Sequence, residues 1–127
     1  MDLNKFSSKI IGAAIEVHKT LGPGLLESSY EECLCYELGL RGILFERQKS
    51  LPIVYKDKHL ESGYRIDVVV ENSILLELKA VEKIEPIHKA QILTYLKLSN
   101  IQLGLLLNFN VPVMKEGLIR VVNEFKE

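Results

Sequence analysis

From Gly63 to Lys79 the chain reads Gly-Tyr-Arg-Ile-Asp-Val-Val-Val-Glu-Asn-Ser-Ile-Leu-Leu-Glu-Leu-Lys, with Asp67, Glu77 and Lys79 set into two apolar runs. Val68 to Val70 and Ile74 to Leu76 are β-branched or bulky and flank the polar cluster Glu71-Asn72-Ser73, which predicts a β-hairpin. Side chains alternate along a strand, so Glu77 and Lys79 share one face and Ile74, Leu76 and Leu78 the other. Where Asp67 lies depends on the turn. A loop of odd length, with Val70 opposite Ile74, sets Asp67 across from Glu77, whereas a two-residue loop turns it to the opposite face. Asn72 tolerates the left-handed conformation that three-residue loops use, so the odd loop is expected.

Two carboxylates facing each other at about 5 Å repel, and something must offset that cost. One carboxyl can hold a proton. Alternatively, two carboxylates beside a lysine make a site for a hard divalent cation, which takes oxygen ligands. The bland reading is a Lys79–Glu77 pair on a solvated sheet face, worth little to stability.

The rest of the chain bounds the setting. Its 127 residues suit one domain spanning 1–127, and a composition 47% hydrophobic and 26% charged is that of an ordinary globular protein. No apolar run approaches the roughly 20 residues that span a bilayer, and Met1 to Lys5 shows no signal-peptide pattern, so a cytoplasmic protein with no membrane association is expected. A net charge of −1 supplies no global attraction for nucleic acid, which leaves only a local basic surface from Arg47, Lys49, Arg65, Lys79, Lys83, Lys89 and Lys97. Cys33 and Cys35, two apart in a predicted helix, point in different directions; they suit core packing at Cys33 rather than zinc or a disulfide.

Phe6, Ile10, Ala13, Ala14, Val17 and Leu21 predict an amphipathic helix over about residues 4–20, which Gly22-Pro23-Gly24 ends. His18, beside that stripe, reads as a packing or capping residue. A second helix is expected over about 26–38, with Leu26, Tyr30, Cys33, Leu34 and Leu38 inward and Gly39 as its stop. Glu27 lies in its first turn, where a carboxylate offsets the helix dipole. Extended runs at 43–48 and 51–55, then the central hairpin, predict a mostly antiparallel meander. Pro86 opens a helix to about Leu98 with Ile87, Ala90, Leu93 and Leu96 as its stripe and His88, Gln91 and Tyr95 on a second line. Gln102 to Phe109 predicts a buried strand parallel to a neighbour. A loop over 110–117, a strand over 118–122 and fraying from Asn123 follow.

Asp67, then Glu77-Leu78-Lys79 after nine intervening residues, then Gln91-x-x-x-Tyr95 resemble the PD-(D/E)XK nuclease superfamily. The glutamine helix looks like the RecB-like branch. Gly24-x-x-Glu27-x-x-Tyr30, preceded by Glu16-Val17-His18 and Leu21-Gly22-Pro23, resembles the small GxxExxY family within that superfamily, as do Leu107-Asn108-Phe109 and the segment 112–117. Ile66 stands where the motif has proline. The resemblance implies an α/β fold with a restriction-endonuclease-like core, a mixed central β-sheet flanked by helices and an extra N-terminal helix.

It also implies a metal-dependent nuclease acting on nucleic acid, with DNA the expected substrate. Asp67, Glu77 and Glu27 would hold Mg²⁺ or Mn²⁺ with the Leu78 carbonyl as a further ligand, and Lys79 would complete the catalytic set. Gln91, Tyr95, Tyr30 and His88 would form the substrate-binding group, with Tyr30 behind Glu27 and His88 on a phosphate. The competing readings are a catalytically silent module of the same fold that binds nucleic acid or a protein partner, a small-molecule or phosphate-handling enzyme using the same residues, and a scaffold with a solvated charge ladder. Assembly as a homodimer stays open.

Overall fold

The computed structural model describes residues 2–61 and 63–124. Helix α1 (Leu3–Leu21) starts where the Asp2 carboxylate accepts the Asn4 and Lys5 amides and stops at Gly22, whose φ of 74° suits a residue without a side chain. Helix α2 (Glu27–Leu40) follows. Then come β1 (Phe45–Ser50), β2 (Ile53–Tyr55), β3 (Lys58–Leu60), β4 (Arg65–Val70), β5 (Ile74–Lys79), α3 (Pro86–Ser99), β6 (Leu103–Asn108), a 3₁₀ turn (Met114–Gly117) and β7 (Leu118–Val122).

Five strands form one mixed sheet in the order β1-β4-β5-β6-β7, antiparallel except for the β5–β6 pair, which the α3 crossover makes parallel. β5 and β6 are therefore central, and every residue of β6 is buried. On one face the sheet carries α1 and α2, with Ile10, Ala13, Tyr30, Leu34 and Leu38 packed on Val68, Leu76, Leu105 and Phe109. On the other, α3 lays Ile92, Tyr95 and Leu96 on Val69, Leu75 and Leu106. A mixed sheet flanked by helices, with one more helix at the N-terminus, is the expected architecture. Among the described residues no helix is long and apolar enough to cross a membrane.

Several elements differ from expectation. α2 runs through Gly39 to Leu40, because its reversal falls at Gly42, where φ is 72°. Its buried side chains are Tyr30, Glu31, Leu34, Cys35 and Leu38, so Cys35 packs more deeply than Cys33 and Leu26 is left 73% exposed. The runs before β4 make no meander. β1 pairs directly with β4, and β2 and β3 pair only with each other as a separate hairpin. α3 is rotated from the expected stripe, with Ile87 and Ala90 outward and Ile92, Tyr95 and Leu96 inward. Asn123 is buried and its amide donates to Gln102, so the chain does not fray there; residues 125–127 of the expected fraying end lie outside those described. At Gly117 a Cβ would meet the Asn108 carbonyl at 1.9 Å, a close approach that only glycine permits.

Candidate active site

The β4–β5 hairpin has the odd loop. Val70 lies opposite Ile74 and Val68 opposite Leu76, and Glu71 and Asn72 adopt the left-handed conformation in a three-residue turn. Continuing that register brings Asp67 to Glu77, and there the regular ladder gives way. Glu77 Oε2 accepts the Asp67 amide at 2.9 Å, and Asp67 Oδ2 accepts the Leu78 amide at 2.9 Å. Each carboxylate thus occupies a hydrogen-bonding place that a backbone carbonyl would otherwise fill, and the two strands part around the pair.

Glu77 is 5% exposed and Asp67 half-buried. Burial pushes the Glu77 carboxyl up to about 8, and the Asp67 charge adds to the rise; the Asp67 amide and the Lys79 ammonium oppose it. Asp67 is raised as well, first by burial and then by Glu31 and Glu27, against the Leu78 amide and Lys79. Both shifts favour a proton on the pair near neutral pH, the first of the two remedies for facing carboxylates. Among the described residues Lys79 makes no salt bridge, so the simple Glu77–Lys79 pair is not what the structure contains.

The end of β5 is fixed from β6. Phe109 N–H donates to the Lys79 carbonyl, and Asn108 lies in register beside Lys79. The buried Asn108 side chain accepts from the Val81 and Asn110 amides and donates to the Val81 carbonyl, holding the chain as it leaves Lys79. A polar residue closing a run of leucines was the sequence signal for that role.

On the α2 side, Glu31 is 7% exposed and accepts from Arg47 Nε (3.1 Å), Arg47 Nη2 (3.0 Å) and Gln48 Nε2 (2.9 Å). Gln48 falls across β4 from Asp67 and takes a positive φ of 49°, which interrupts the β1–β4 pairing beside the carboxylates. The sequence reading did not assign Glu31 to the site. Leu34, Cys35 and Leu38, at three, four and seven residues beyond it, mark that position as inward-facing. Burial pushes the neighbouring Cys35 thiol up to about 12, so this cysteine is a neutral packing group.

The remaining candidates divide. Gln91 Nε2 donates to Tyr95 Oη at 3.2 Å, and burial followed by the Glu77 charge raises the Tyr95 phenol. Glu27 is exposed, and its charge acts on Asp67. Tyr30 does not belong to a substrate surface. It is fully buried, stacks on Phe109 at 4.6 Å, accepts the Leu25 amide and donates to the Gly22 carbonyl, so it locks the Gly22–Leu25 turn. His88 caps α3, with Nδ1 accepting the Glu85 amide at 2.9 Å, and His18 Nε2 ties α1 to the Val111 carbonyl at 2.7 Å. Of the basic residues, Arg47 is engaged by Glu31, and Lys49 lies 3.7 Å from Glu46.

The donor set suits Mg²⁺ chemically. Asp67 and Glu77 each spend one oxygen on an amide and keep the other, and Mg²⁺ takes one or two carboxylates while retaining its waters. Among the described residues no three His, Cys, Asp or Glu side chains gather as a full protein cage for a metal. A family model described as the PD-(D/E)XK nuclease superfamily matches residues 4–121. No curated protein and no solved structure matches the chain.

Proposed function

Because this chain belongs to the PD-(D/E)XK nuclease superfamily, we propose that it is a metal-dependent nuclease that hydrolyses phosphodiester bonds of nucleic acid, with DNA as the substrate. Within the superfamily we assign it to the GxxExxY group on the RecB-like side, on the strength of Gly24-x-x-Glu27-x-x-Tyr30 and the Gln91–Tyr95 helix. The observation that carries the reading is the facing Asp67–Glu77 pair with Lys79 two residues further along the same strand.

In this reading Asp67 and Glu77 would hold the Mg²⁺, with the Leu78 carbonyl and the Glu27 charge in support. Bound there, the ion supplies positive charge to the scissile phosphate and lowers the pKa of a water. Glu77, whose carboxyl burial pushes up to about 8, would serve as a ligand in its ionised form. Lys79, free of any salt bridge among the described residues, orients the attacking water and stabilises charge on the phosphate oxygens. Gln91 and Tyr95 position the substrate or the lysine.

A second reading has a specific observation behind it. Two carboxylates that gather no third His, Cys, Asp or Glu ligand among the described residues, one of them raised well above the usual carboxylate range, also describe a nuclease fold that has become a binding module. Purified protein incubated with labelled single- and double-stranded DNA and RNA, in Mg²⁺, Mn²⁺ or chelator, separates the two. Cleavage that requires metal supports the nuclease. Uncleaved substrate, with no calorimetric signal for metal, supports the silent module.

A further inference from the structure

The β2–β3 hairpin is an element that neither core explains. Its strands pair only with each other, five of its six strand residues are exposed, and none belongs to either hydrophobic cluster. A lone two-stranded hairpin is marginal in water, and this one exposes Val54 (55%) and Tyr55 (66%) instead of burying them. Packing therefore does not account for its side chains.

Their chemistry points outward. The tip carries Lys56 and Lys58 against Asp57, a local excess of positive charge in a chain whose net charge is −1. The Lys56 ammonium lies 5.4 Å from the centre of the Tyr55 ring. The hairpin's base joins the candidate active site. Leu51 N–H donates to the Tyr64 carbonyl at 2.9 Å, closing the base beside the Ser50–Arg65 pair, and Asp67 is two residues beyond Arg65. Tyr64, half-exposed, stands immediately before Arg65, where β4 begins. An exposed aromatic and two lysines at the tip thus run back to an arginine and a second aromatic, two and three residues before Asp67.

We propose that this hairpin is a single-strand grip, on which unpaired bases stack at Tyr55 and Tyr64 while Lys56 and Lys58 meet the flanking phosphates. The proposal rests on the nuclease reading and narrows its substrate to single-stranded nucleic acid or a duplex with an unpaired flank. Aromatic faces alternating with cations are the means by which proteins hold single strands irrespective of sequence. A paired duplex keeps its bases stacked on one another and offers such an aromatic little.

The test is fluorescence anisotropy of a labelled oligodeoxythymidine in chelator, where no cleavage occurs, with the intact chain and with Tyr55→Ala and the double variant Lys56→Ala/Lys58→Ala. Because the hairpin contributes to neither core, both variants are expected to keep the wild-type urea midpoint. Tyr55→Ala is expected to weaken binding about 5- to 150-fold, the range for loss of one stacked base. The lysine variant is expected to flatten the slope of log affinity against log salt by about 1.4, at about 0.7 for each single-strand phosphate contact. Affinities unchanged in both variants, or no binding by the wild type, overturn the proposal and give the hairpin to a protein partner. An equal loss on a blunt duplex overturns its single-strand part. Because binding is read without metal, hairpin-dependent binding by a protein that never cleaves upholds the grip and overturns the nuclease.

Discussion

Replacing Glu77 with glutamine should make the metal-free protein more stable at alkaline pH. In the folded chain the Glu77 carboxyl titrates at about 8 instead of 4.5, chiefly because burial disfavours its charge. At about 1.4 kcal/mol per pKa unit, that rise corresponds to roughly 4 to 5 kcal/mol for charging the group in place. The folded pKa lies above the unfolded one, so from about pH 4.5 to pH 8 the folded state binds more protons than the unfolded state. The group's contribution is then complete below the lower value and is lost as pH rises through the upper one. Relaxation of the pair reduces the figure, so the wild type is expected to lose on the order of 2–4 kcal/mol across that window relative to the variant. Glutamine keeps an oxygen for the Asp67 amide, has no proton to release, and can donate to the Asp67 carboxylate. Urea unfolding in chelator at a series of pH values, followed by far-UV circular dichroism, measures the difference. Titratable groups remote from residue 77 cancel in the comparison. Parallel stability curves for wild type and variant, or a wild type that gains on the variant as pH rises, would refute the reasoning.

Tyr30→Phe removes the hydroxyl that joins Gly22 and Leu25 while keeping the ring on Phe109. Unfolding midpoints should report a loss of about 1–2 kcal/mol, with KM for nucleic acid unchanged. Asn108→Ala strands the Val81 and Asn110 amides. It should cost about 2–3 kcal/mol in urea unfolding and lower turnover by loosening the end of β5 at Lys79. Gly117→Ala sets a methyl group against the Asn108 carbonyl, a backbone atom that cannot swing away, and differential scanning calorimetry should find a clear fall in Tm.

How legible each part was follows from how local its cause is. The hairpin register could be read because Asn72 and the alternation of Val68 to Val70 with Ile74 to Leu76 lie within a few residues of each other. The parallel β5–β6 pairing was equally accessible, since a continuous leucine strand after a helical crossover has few other places to go. Pairing of β1 with β4 was not, because the choice between the next run in sequence and a more distant one is made by the whole sheet. The face of α3 was misread for a related reason. Tyr95 counts as polar in a pattern, yet here its ring is buried with Ile92 and Leu96 while its hydroxyl takes the Gln91 amide, so the inward face lies away from Ile87 and Ala90. Tyr30 was assigned to substrate because a motif gives residue types and says nothing of burial. Glu31 was missed because an acidic helix residue ordinarily faces water, and only its Arg47 and Gln48 partners, both on β1, make its burial tolerable.

The assignment of Asp67, Glu77 and Lys79 to phosphodiester hydrolysis stands or falls on cleavage by matched preparations of wild type, Asp67→Asn and Lys79→Ala in saturating Mg²⁺, with metal binding measured on the same samples. We expect metal-dependent cleavage by the wild type, loss of both cleavage and metal binding in Asp67→Asn, and loss of turnover with metal binding retained in Lys79→Ala. Cleavage that persists undiminished in both variants would contradict the assignment and place the activity elsewhere.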